Sequence, residues 1–233
     1  MFALATNRWF PVTLAMLLSA MFALTTACGG DDDDDDETQG DDDDDNGDDD
    51  DDDSDISGCA VNPDEAGNIV SNSSFEEPVV TTPEHYLPLN AGDTIGEWDV
   101  IGKGVDLVGD RLQAGHGVQS VDLNNYTDHG GVEQALPTTP GQSYNLSFCY
   151  AGNTEGGEGI KEFEIFWGET SLGSWTFDTT SYTPTNMGWI TTIIEVPGDF
   201  TASDTTTLKF VSLQPVASVH GPEIDAVIVV PAE

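Results

Sequence analysis

The chain has 233 residues and carries 44 acidic side chains against five basic ones, which gives a formal net charge of −39. This charge excludes binding to nucleic acids or anionic lipid headgroups through a basic surface, because too few cations are present to contact phosphate groups. Nineteen of the acidic residues lie within residues 31–55, whereas residues 59–233 contain 25 acidic and four basic residues. The latter part is long enough for one domain with a hydrophobic core and too short for two.

The first 27 residues predict a signal peptide. Arg8 precedes a mostly apolar run over residues 9–24, which is shorter than the roughly 20 residues that a membrane-spanning helix needs. The following Thr25-Thr26-Ala27-Cys28 resembles the lipidation box of bacterial lipoproteins, although Thr25 stands where such boxes usually have Leu, Val or Ile. We therefore predict a lipid on Cys28 and export to the bacterial outer membrane or cell surface. The alternative is an ordinary signal peptide followed by an incidental cysteine.

Residues 28–56 predict a disordered tether. The tract is dominated by aspartate, and no hydrophobic side chain occurs within residues 31–55. Such a segment has nothing to bury that would offset the entropy cost of folding, and its like charges repel one another. Fully extended, it would reach on the order of 80–90 Å. We expect it to space the following domain away from the membrane.

Residues 57–233 predict an all-β domain. In residues 142–150, Tyr144, Leu146, Phe148 and Tyr150 alternate with Asn145, Ser147 and Cys149, which is the pattern of a strand with one buried face. Glycine and proline turns separate the predicted strands, which are 69–70, 98–101, 105–108, 118–123, 132–136, 142–150, 160–167, 187–196, 205–213 and 224–230. No helical stripe of useful length occurs, so we predict an antiparallel β-sandwich of the jelly-roll type.

The domain contains several sequence blocks in a fixed order: NIVSNSSFEEP at 68–78, WDVIG at 98–102, GVDLVG at 104–109, GVQSVDLN at 117–124, TPGQSYNLSF at 139–148 and GPEIDAV at 221–227. Together they resemble the bacterial choice-of-anchor C family, which is similar to a domain of unknown function in plant cell-wall proteins. The resemblance covers residues 68–230 and implies a galactose-binding-like jelly roll related to carbohydrate-binding modules. It also implies attachment to the cell surface, here through Cys28.

The same resemblance implies a structural calcium ion where the first and last strands meet. Glu76 in the first block and Asp225 in the last match the ligand positions of related modules. Asp225 lies between Ile224 and Ala226, where an unpaired carboxylate would be costly, and Asp122 between Val121 and Leu123 is a third candidate. The alternative is that these carboxylates face solvent or cap turns.

Polysaccharide is the partner that the resemblance implies, and binding it needs aromatic rings beside polar side chains. We assign Trp98, Trp167 and Trp189 to the core. Candidate aromatic platforms near predicted loops are Trp175, Tyr126 and Tyr182, and candidate ligands for sugar hydroxyls are Asn125 and Asp128.

Catalysis has little support in the sequence. The sequence motifs of serine hydrolases, zinc proteases and phosphate-binding loops are absent. Glycosidases use a pair of carboxylates, and Glu162 and Glu164 lie on one strand face, but any two residues two positions apart in a strand do so. We therefore predict a non-catalytic, carbohydrate-binding surface module. The alternatives are an adhesion or matrix protein that binds another protein, and a glycoside hydrolase or esterase.

Cys59 and Cys149 remain once Cys28 is assigned to the lipid. In an exported protein, two remaining cysteines are expected to form a disulfide. The alternative is a pair of free or buried thiols.

Overall fold

Twelve strands supply nearly all the regular structure of residues 59–125, 129–215 and 218–233, which are the residues that the computed structural model describes. In chain order they are β1 (Tyr86–Leu89), β2 (Thr94–Ile95), β3 (Trp98–Gly102), β4 (Val105–Val108), β5 (Ser120–Asp122), β6 (Gly130–Pro137), β7 (Tyr144–Gly152), β8 (Ile160–Trp167), β9 (Thr170–Asp178), β10 (Ile190–Val196), β11 (Thr205–Ser212) and β12 (Pro222–Pro231). Two single-turn 3₁₀ helices, Thr154–Gly156 and Gly198–Phe200, lie between strands.

The strands form two six-stranded sheets. Sheet A has the order β1-β4-β5-β12-β7-β10, and sheet B has the order β2-β3-β6-β11-β8-β9. Every strand pair in both sheets is antiparallel. This confirms the predicted all-β, antiparallel sandwich.

The core lies between the inner faces of the two sheets and is rich in aromatic rings. Phe148 of sheet A packs edge-on against Phe210 and Phe163 of sheet B, with ring centroids 5.4 and 6.2 Å apart. Trp98 and Trp167 are fully buried, as the sequence predicts. The alternation seen in residues 142–150 therefore arises because one side of β7 faces these rings.

The predicted strands match the structure with four differences. Residues 69–70 do not form a strand, because the segment makes only isolated contacts with β12, including an N–H from Ile69 to the carbonyl of Val229 (2.9 Å). The short strands β1 and β2 and the edge strand β9 were not predicted. β9 reads TSLGSWTFD, whose small and polar residues hide its alternation, and its register with β8 shifts once.

The opening segment nevertheless lies beside β12. The side-chain oxygen of Asn68 accepts the N–H of Val229 (3.0 Å), and the carbonyl of Ser73 accepts the N–H of Val227 (2.7 Å). The β12 register shifts between Asp225 and Ile228, which turns Val227 toward the opening segment. This arrangement places residues 68–78 close to Asp225.

A disulfide fixes the start of the described chain to sheet A. Cys59 is bonded to Cys149, with their Cα atoms 5.7 Å apart, which is the pairing expected from the sequence. Cys149 points to the outer face of sheet A, since its neighbours Phe148 and Tyr150 point inward. The N–H of Ala60 also bonds to the hydroxyl of Thr191 on β10 (3.0 Å).

The signal peptide (1–27), Cys28 and the acidic tether (28–56) lie outside the described residues, and their assignments stay predictions. The described residues belong to one compact unit, Asp52–Glu233. Within the described ranges, no helix has the length and apolar character needed to span a membrane.

Candidate functional site

A long loop, residues 109–119, lies over the outer face of sheet A between β4 and β5. Gln113 holds its middle in place: its N–H bonds to the carbonyl of Pro184 (2.7 Å), and its own carbonyl accepts the indole N–H of Trp189 (2.8 Å). The amide oxygen of Gln113 accepts the N–H of Met187 (3.0 Å). The loop is therefore fixed to the segment that precedes β10.

The two principal calcium candidates hold the other end of this loop. Oε1 of Glu76 accepts the N–H groups of Val118 (2.9 Å) and Gln119 (3.1 Å). Oδ2 of Asp225 accepts the N–H of His116 (2.8 Å), and Oδ1 accepts the N–H of Ala226 (2.6 Å). Both carboxylates thus position loop 109–119.

The surroundings of Asp225 disfavour its charged form. Burial raises the pKa of Asp225 well above its usual value, the N–H groups of His116 and Ala226 oppose this, and the charge of Glu76 raises the pKa further. In the described part of the chain, no three acidic, histidine or cysteine side chains are placed to hold a metal. A calcium ion at Glu76 and Asp225 would therefore depend on backbone carbonyl oxygens for its remaining ligands.

Asp122, the third calcium candidate, belongs to a different group of carboxyls. It pairs in register with Asp106 of β4 on one side and with Glu223 of β12 on the other. Directly paired residues point to the same face of a sheet, and neighbouring strands are about 4.8 Å apart. Asp106, Asp122 and Glu223 therefore form a carboxyl row across three strands on the outer face of sheet A.

Of the three carboxyl groups in the carboxyl row, Asp122 accepts the most hydrogen bonds from protein groups. Its carboxylate accepts the N–H groups of Asn124 (2.8 Å) and Gly221 (3.0 Å) and the side-chain amide of Asn153 (2.8 Å). Burial nevertheless raises the pKa of Asp122 to about 7.

The other two members have fewer donors. Glu223, which is fully buried, accepts only the hydroxyl of Ser120 (2.7 Å) at Oε2. Oε1 of Glu223 and Oδ1 of Asp106 have no hydrogen-bond partner among the described residues. Burial, followed by the charge of Asp122, raises the pKa of Glu223 well above its usual value. Because Asp122 has three donors and Glu223 has one, Glu223 is the carboxyl that retains its proton.

Asp106 opens into a cleft of about 110 Å³ at the β1 side of sheet A. The apolar wall of the cleft consists of Tyr86, Val108, Leu112 and Val219. Its polar groups come from Asp106, Arg111, Asn153, Glu155 and His220. Burial, followed by the charge of Asp122, raises the pKa of Asp106 to about 7, although the Arg111 guanidinium opposes the shift.

Ion pairing fixes the polar side of the cleft. Nε of Arg111 donates to Glu155 (2.6 Å), Nη1 donates to the carbonyl of Glu84 (3.3 Å), and the guanidinium lies 5.3 Å from the ring centroid of Tyr86. Asn153 caps the 3₁₀ turn that carries Glu155 by accepting its N–H (2.9 Å). These contacts leave the cleft preformed.

His220 contributes a neutral ring to the cleft. Burial lowers its pKa, and the nearby ammonium of Lys161 lowers it further. Nζ of Lys161 donates to the carbonyl of His220 (2.8 Å). At pH 7 the cations next to the cleft are therefore Arg111 and Lys161.

Comparison with known proteins gives one family match. The family DUF642, described as a protein of unknown function, matches residues 68–230. The chain belongs to the DUF642 family. No curated protein sequence matches the chain.

Several solved structures are similar to the DUF642 domain. The Stig cyclase Fisc from Fischerella sp. TAU, in complex with (3Z)-3-(1-methyl-2-pyrrolidinylidene)-3H-indole, has 17% identity and a TM-score of 0.48, covering 71% of this chain and 98% of the cyclase. A family 35 carbohydrate-binding module from Clostridium thermocellum has 18% identity and a TM-score of 0.41, covering 63% and 98%. TmCBM61 in complex with beta-1,4-galactotriose has 16% identity and a TM-score of 0.41, covering 71% and 99%. These similarities are too distant to indicate a function.

Trp175, Tyr182 and Asn125, the predicted sugar-binding residues that the structure describes, do not come together in the DUF642 domain. Trp175 lies in β9 rather than near a loop, and its partly buried ring packs on Phe163 (6.0 Å between centroids) and Phe148 (5.9 Å) at the edge of the core. The buried amide of Asn125 donates to the carbonyls of Leu89 (3.1 Å) and Lys103 (3.4 Å).

The remaining candidates are scattered or lie outside the described residues. Tyr182 is 39% exposed and its ring lies 5.1 Å from that of Phe177, away from the cleft. Tyr126 and Asp128 are not among the described residues. Glu162 and Glu164 are partly exposed on β8, and Glu164 accepts the hydroxyl of Ser171 (2.5 Å).

The cleft was missed because its residues come from separate parts of the DUF642 domain. Tyr86, Arg111, Asn153 and His220 carry no recognisable spacing in the sequence. One signal was present: Asp106 lies between Val105 and Leu107, the same setting that marked Asp122 and Asp225 as costly to bury.

Proposed function

We propose that the DUF642 domain is a non-catalytic carbohydrate-binding module that holds the end of a cell-wall or extracellular polysaccharide in the cleft. The observation that carries the proposal is the composition of the cleft, in which an apolar wall faces planar polar side chains fixed by hydrogen bonds. An apolar surface that packs on a sugar ring, beside a few placed polar groups, is what a sugar site requires. The cleft of about 110 Å³ is small for a whole ligand, which suits the end of a chain whose remainder stays in solvent.

The proposal includes display at the cell surface. The sequence block ending in Cys28 supports a lipid anchor, and the acidic tract over residues 31–55 supports a spacer between the membrane and the domain. Resemblance to the choice-of-anchor C family also supports surface attachment. Lipid on Cys28 and sugar in the cleft would together fasten the cell to a polysaccharide.

Capture of cells tests both parts of this proposal. Bacteria carrying the full chain should adhere to at least one surface in a panel of immobilised polysaccharides, and Tyr86→Ala should weaken binding about tenfold, since it removes the apolar wall and the support for Arg111. Tyr182→Ala, which removes an exposed ring outside the cleft, should leave adhesion unchanged. Cys28→Ser should release the protein from the membrane fraction while its sugar binding is retained. Adhesion that depends on Tyr182 and not on Tyr86 contradicts the assignment of the cleft.

We also propose a structural calcium ion held by Glu76 and Asp225. Repulsion between these two carboxylates supports the proposal, because a divalent cation between them would stabilise both in their charged form. The ion would hold the opening segment, β12 and loop 109–119 together.

Chelation tests the calcium proposal. A site saturated about 100-fold above its Kd contributes about 2.7 kcal/mol, so removing calcium should lower Tm by about 5–10 °C. Asp225→Asn should abolish the response to chelator, whereas Asp99→Asn, at an exposed position on β3, should preserve it. The shift in each variant is compared rather than Tm itself, since Asp225→Asn also weakens the loop contacts. An identical melt with and without chelator in the unsubstituted protein argues against the ion.

A further inference from the structure

The cleft and the carboxyl row behind it contain more carboxyl groups than cations. Arg111 and Lys161 are the positive groups, because the His220 ring is neutral at pH 7. Glu223 retains its proton and adds no charge, so three carboxyl groups can be ionised beside them, namely Asp106 and Glu155 at the cleft and Asp122 behind it. The arrangement therefore lacks positive charge.

The two cations, Arg111 and Lys161, already have hydrogen-bond partners. Arg111 is engaged by Glu155 and by the carbonyl of Glu84, and Lys161 is engaged by the carbonyl of His220. Oδ1 of Asp106, at the wall of the cleft, has no donor among residues 59–125, 129–215 and 218–233. Oε1 of the fully buried Glu223, at the far end of the carboxyl row, also has no donor among these residues. Two buried acceptors without donors are costly, and one of them belongs to the Asp106 carboxyl group, which lines the cleft where a ligand would bind.

The missing group is better supplied by a ligand ammonium than by a metal ion. Calcium takes six to eight oxygen ligands, whereas the cleft offers the carboxyl groups of Asp106 and Glu155, and Glu155 is already paired with Arg111. An ammonium group has three N–H donors and can be satisfied by one carboxylate and a few neighbouring acceptors. A sugar hydroxyl would supply a donor without the charge.

We propose that the cleft selects a sugar carrying a protonated amine, whose ammonium group donates hydrogen bonds to Asp106 while the sugar ring packs on the apolar wall. This rests on the proposed function, and it names the class of sugar that the cleft takes. An N-acetylated sugar lacks the charge, and an acidic sugar would be repelled by the carboxyl row.

The selection depends on pH through Asp106. Titratable and charged groups that face Asp106 from the surrounding elements are Tyr86, Arg111, Asp122, Glu155, Lys161, His220 and Glu223. Because the pKa of Asp106 lies at about 7, the fraction of its ionised form falls as the pH drops below 7. The sugar amine gains its own proton over the same range, so affinity should be highest at about pH 7, where both groups can be charged, and should fall by pH 5.5 as Asp106 becomes neutral.

Three β-1,4-linked hexasaccharides that differ only at C2 test the proposal on the full chain: those of glucosamine, N-acetylglucosamine and glucose. Calorimetry at pH 7 should give about tenfold tighter binding of the glucosamine hexamer. Asp106→Asn, a neutral change of the same shape, should bring that affinity down to the level of the other two sugars and remove its fall toward pH 5.5. Asp204→Asn removes one exposed carboxylate outside the cleft and should preserve the preference. The acidic tract is present in every variant, so its attraction for amines cancels in the comparison.

The outcomes separate this inference from the proposed function. Equal binding of all three sugars, lost in Tyr86→Ala and retained in Asp106→Asn, keeps the sugar site and overturns selection of an amine. A preference weakened equally by Asp106→Asn and Asp204→Asn overturns it as well, because general charge attraction then explains the preference. Absence of binding to any of the three and to the polysaccharide panel rejects both. A melting temperature for Asp106→Asn at least as high as that of the unsubstituted chain shows that folding is not the cause.

Discussion

Replacing both Cys59 and Cys149 by alanine should lower the free energy of unfolding by about 4–5 kcal/mol. The disulfide joins residues 90 positions apart, so it restricts the unfolded chain strongly, and the entropy it removes grows with the length of the closed loop. Cys149 lies on β7, which is paired on both sides by β12 and β10, so the chain is held to an interior strand of sheet A. Equilibrium denaturation in urea under oxidising conditions measures the loss.

The double variant is the informative one. Cys59→Ala alone leaves a thiol at Cys149 that is buried in the folded protein but can form other disulfides once the chain unfolds, whereas Cys59→Ala with Cys149→Ala avoids this. Dithiothreitol should reduce the stability of the unsubstituted protein toward that of the double variant and leave the double variant unchanged. A double variant within about 1 kcal/mol of the unsubstituted protein would show that the disulfide does not constrain the chain in this way.

The free energy of unfolding should fall as the pH rises from 5 to 8, because the carboxyl row binds protons more tightly in the folded protein. Folding raises the pKa of Asp106 from 3.8 to about 7 through burial and the charge of Asp122. Between about pH 4 and pH 7 the folded state therefore holds a proton that the unfolded state has released. Stability is highest at the acidic end of this range and is lost as the pH approaches 7, by up to about 1.4 kcal/mol per pH unit for one carboxyl.

Asp106→Asn isolates the contribution of one member of the carboxyl row. Since Oδ1 of Asp106 has no donor among the described residues, an asparagine there breaks no hydrogen bond to that atom and removes the charge. Relative to the unsubstituted protein, the variant should gain about 2 kcal/mol of stability between pH 5 and pH 8, after allowance for the partial exposure of the side chain. Urea midpoints between pH 5 and pH 8 measure this, with Asp204→Asn as the exposed control. Parallel pH profiles for Asp106→Asn and the unsubstituted protein contradict the assigned shift.

The sequence predicts the framework of the domain because strand patterns are local. β4 and β8 match their predicted ranges, and the alternation around Phe148 correctly separates the inner face of β7 from the outer face that carries Cys149. β9 was missed because an edge strand needs fewer buried residues, and the pattern around Trp175 is correspondingly weak.

The cleft was beyond sequence reasoning because it depends on the register between strands. Asp106, Asp122 and Glu223 are separated by up to 117 positions, and only the pairing of β4, β5 and β12 aligns them. A lone acidic residue in an apolar strand signals that some partner exists, but not which one. Exposed aromatic residues were therefore chosen as ligand candidates, although the structure uses Trp175 mainly for packing.

Hydrogen–deuterium exchange of the full chain, with and without the glucosamine hexamer, tests most directly that the cleft on the outer face of sheet A binds sugar. The prediction is slower exchange over residues 106–113, 153–156 and 218–221 when the hexamer is added, and weaker protection of the same residues in Asp106→Asn at the same hexamer concentration. Protection confined to residues 170–182, around Trp175 and Tyr182, would place the sugar elsewhere and contradict the assignment.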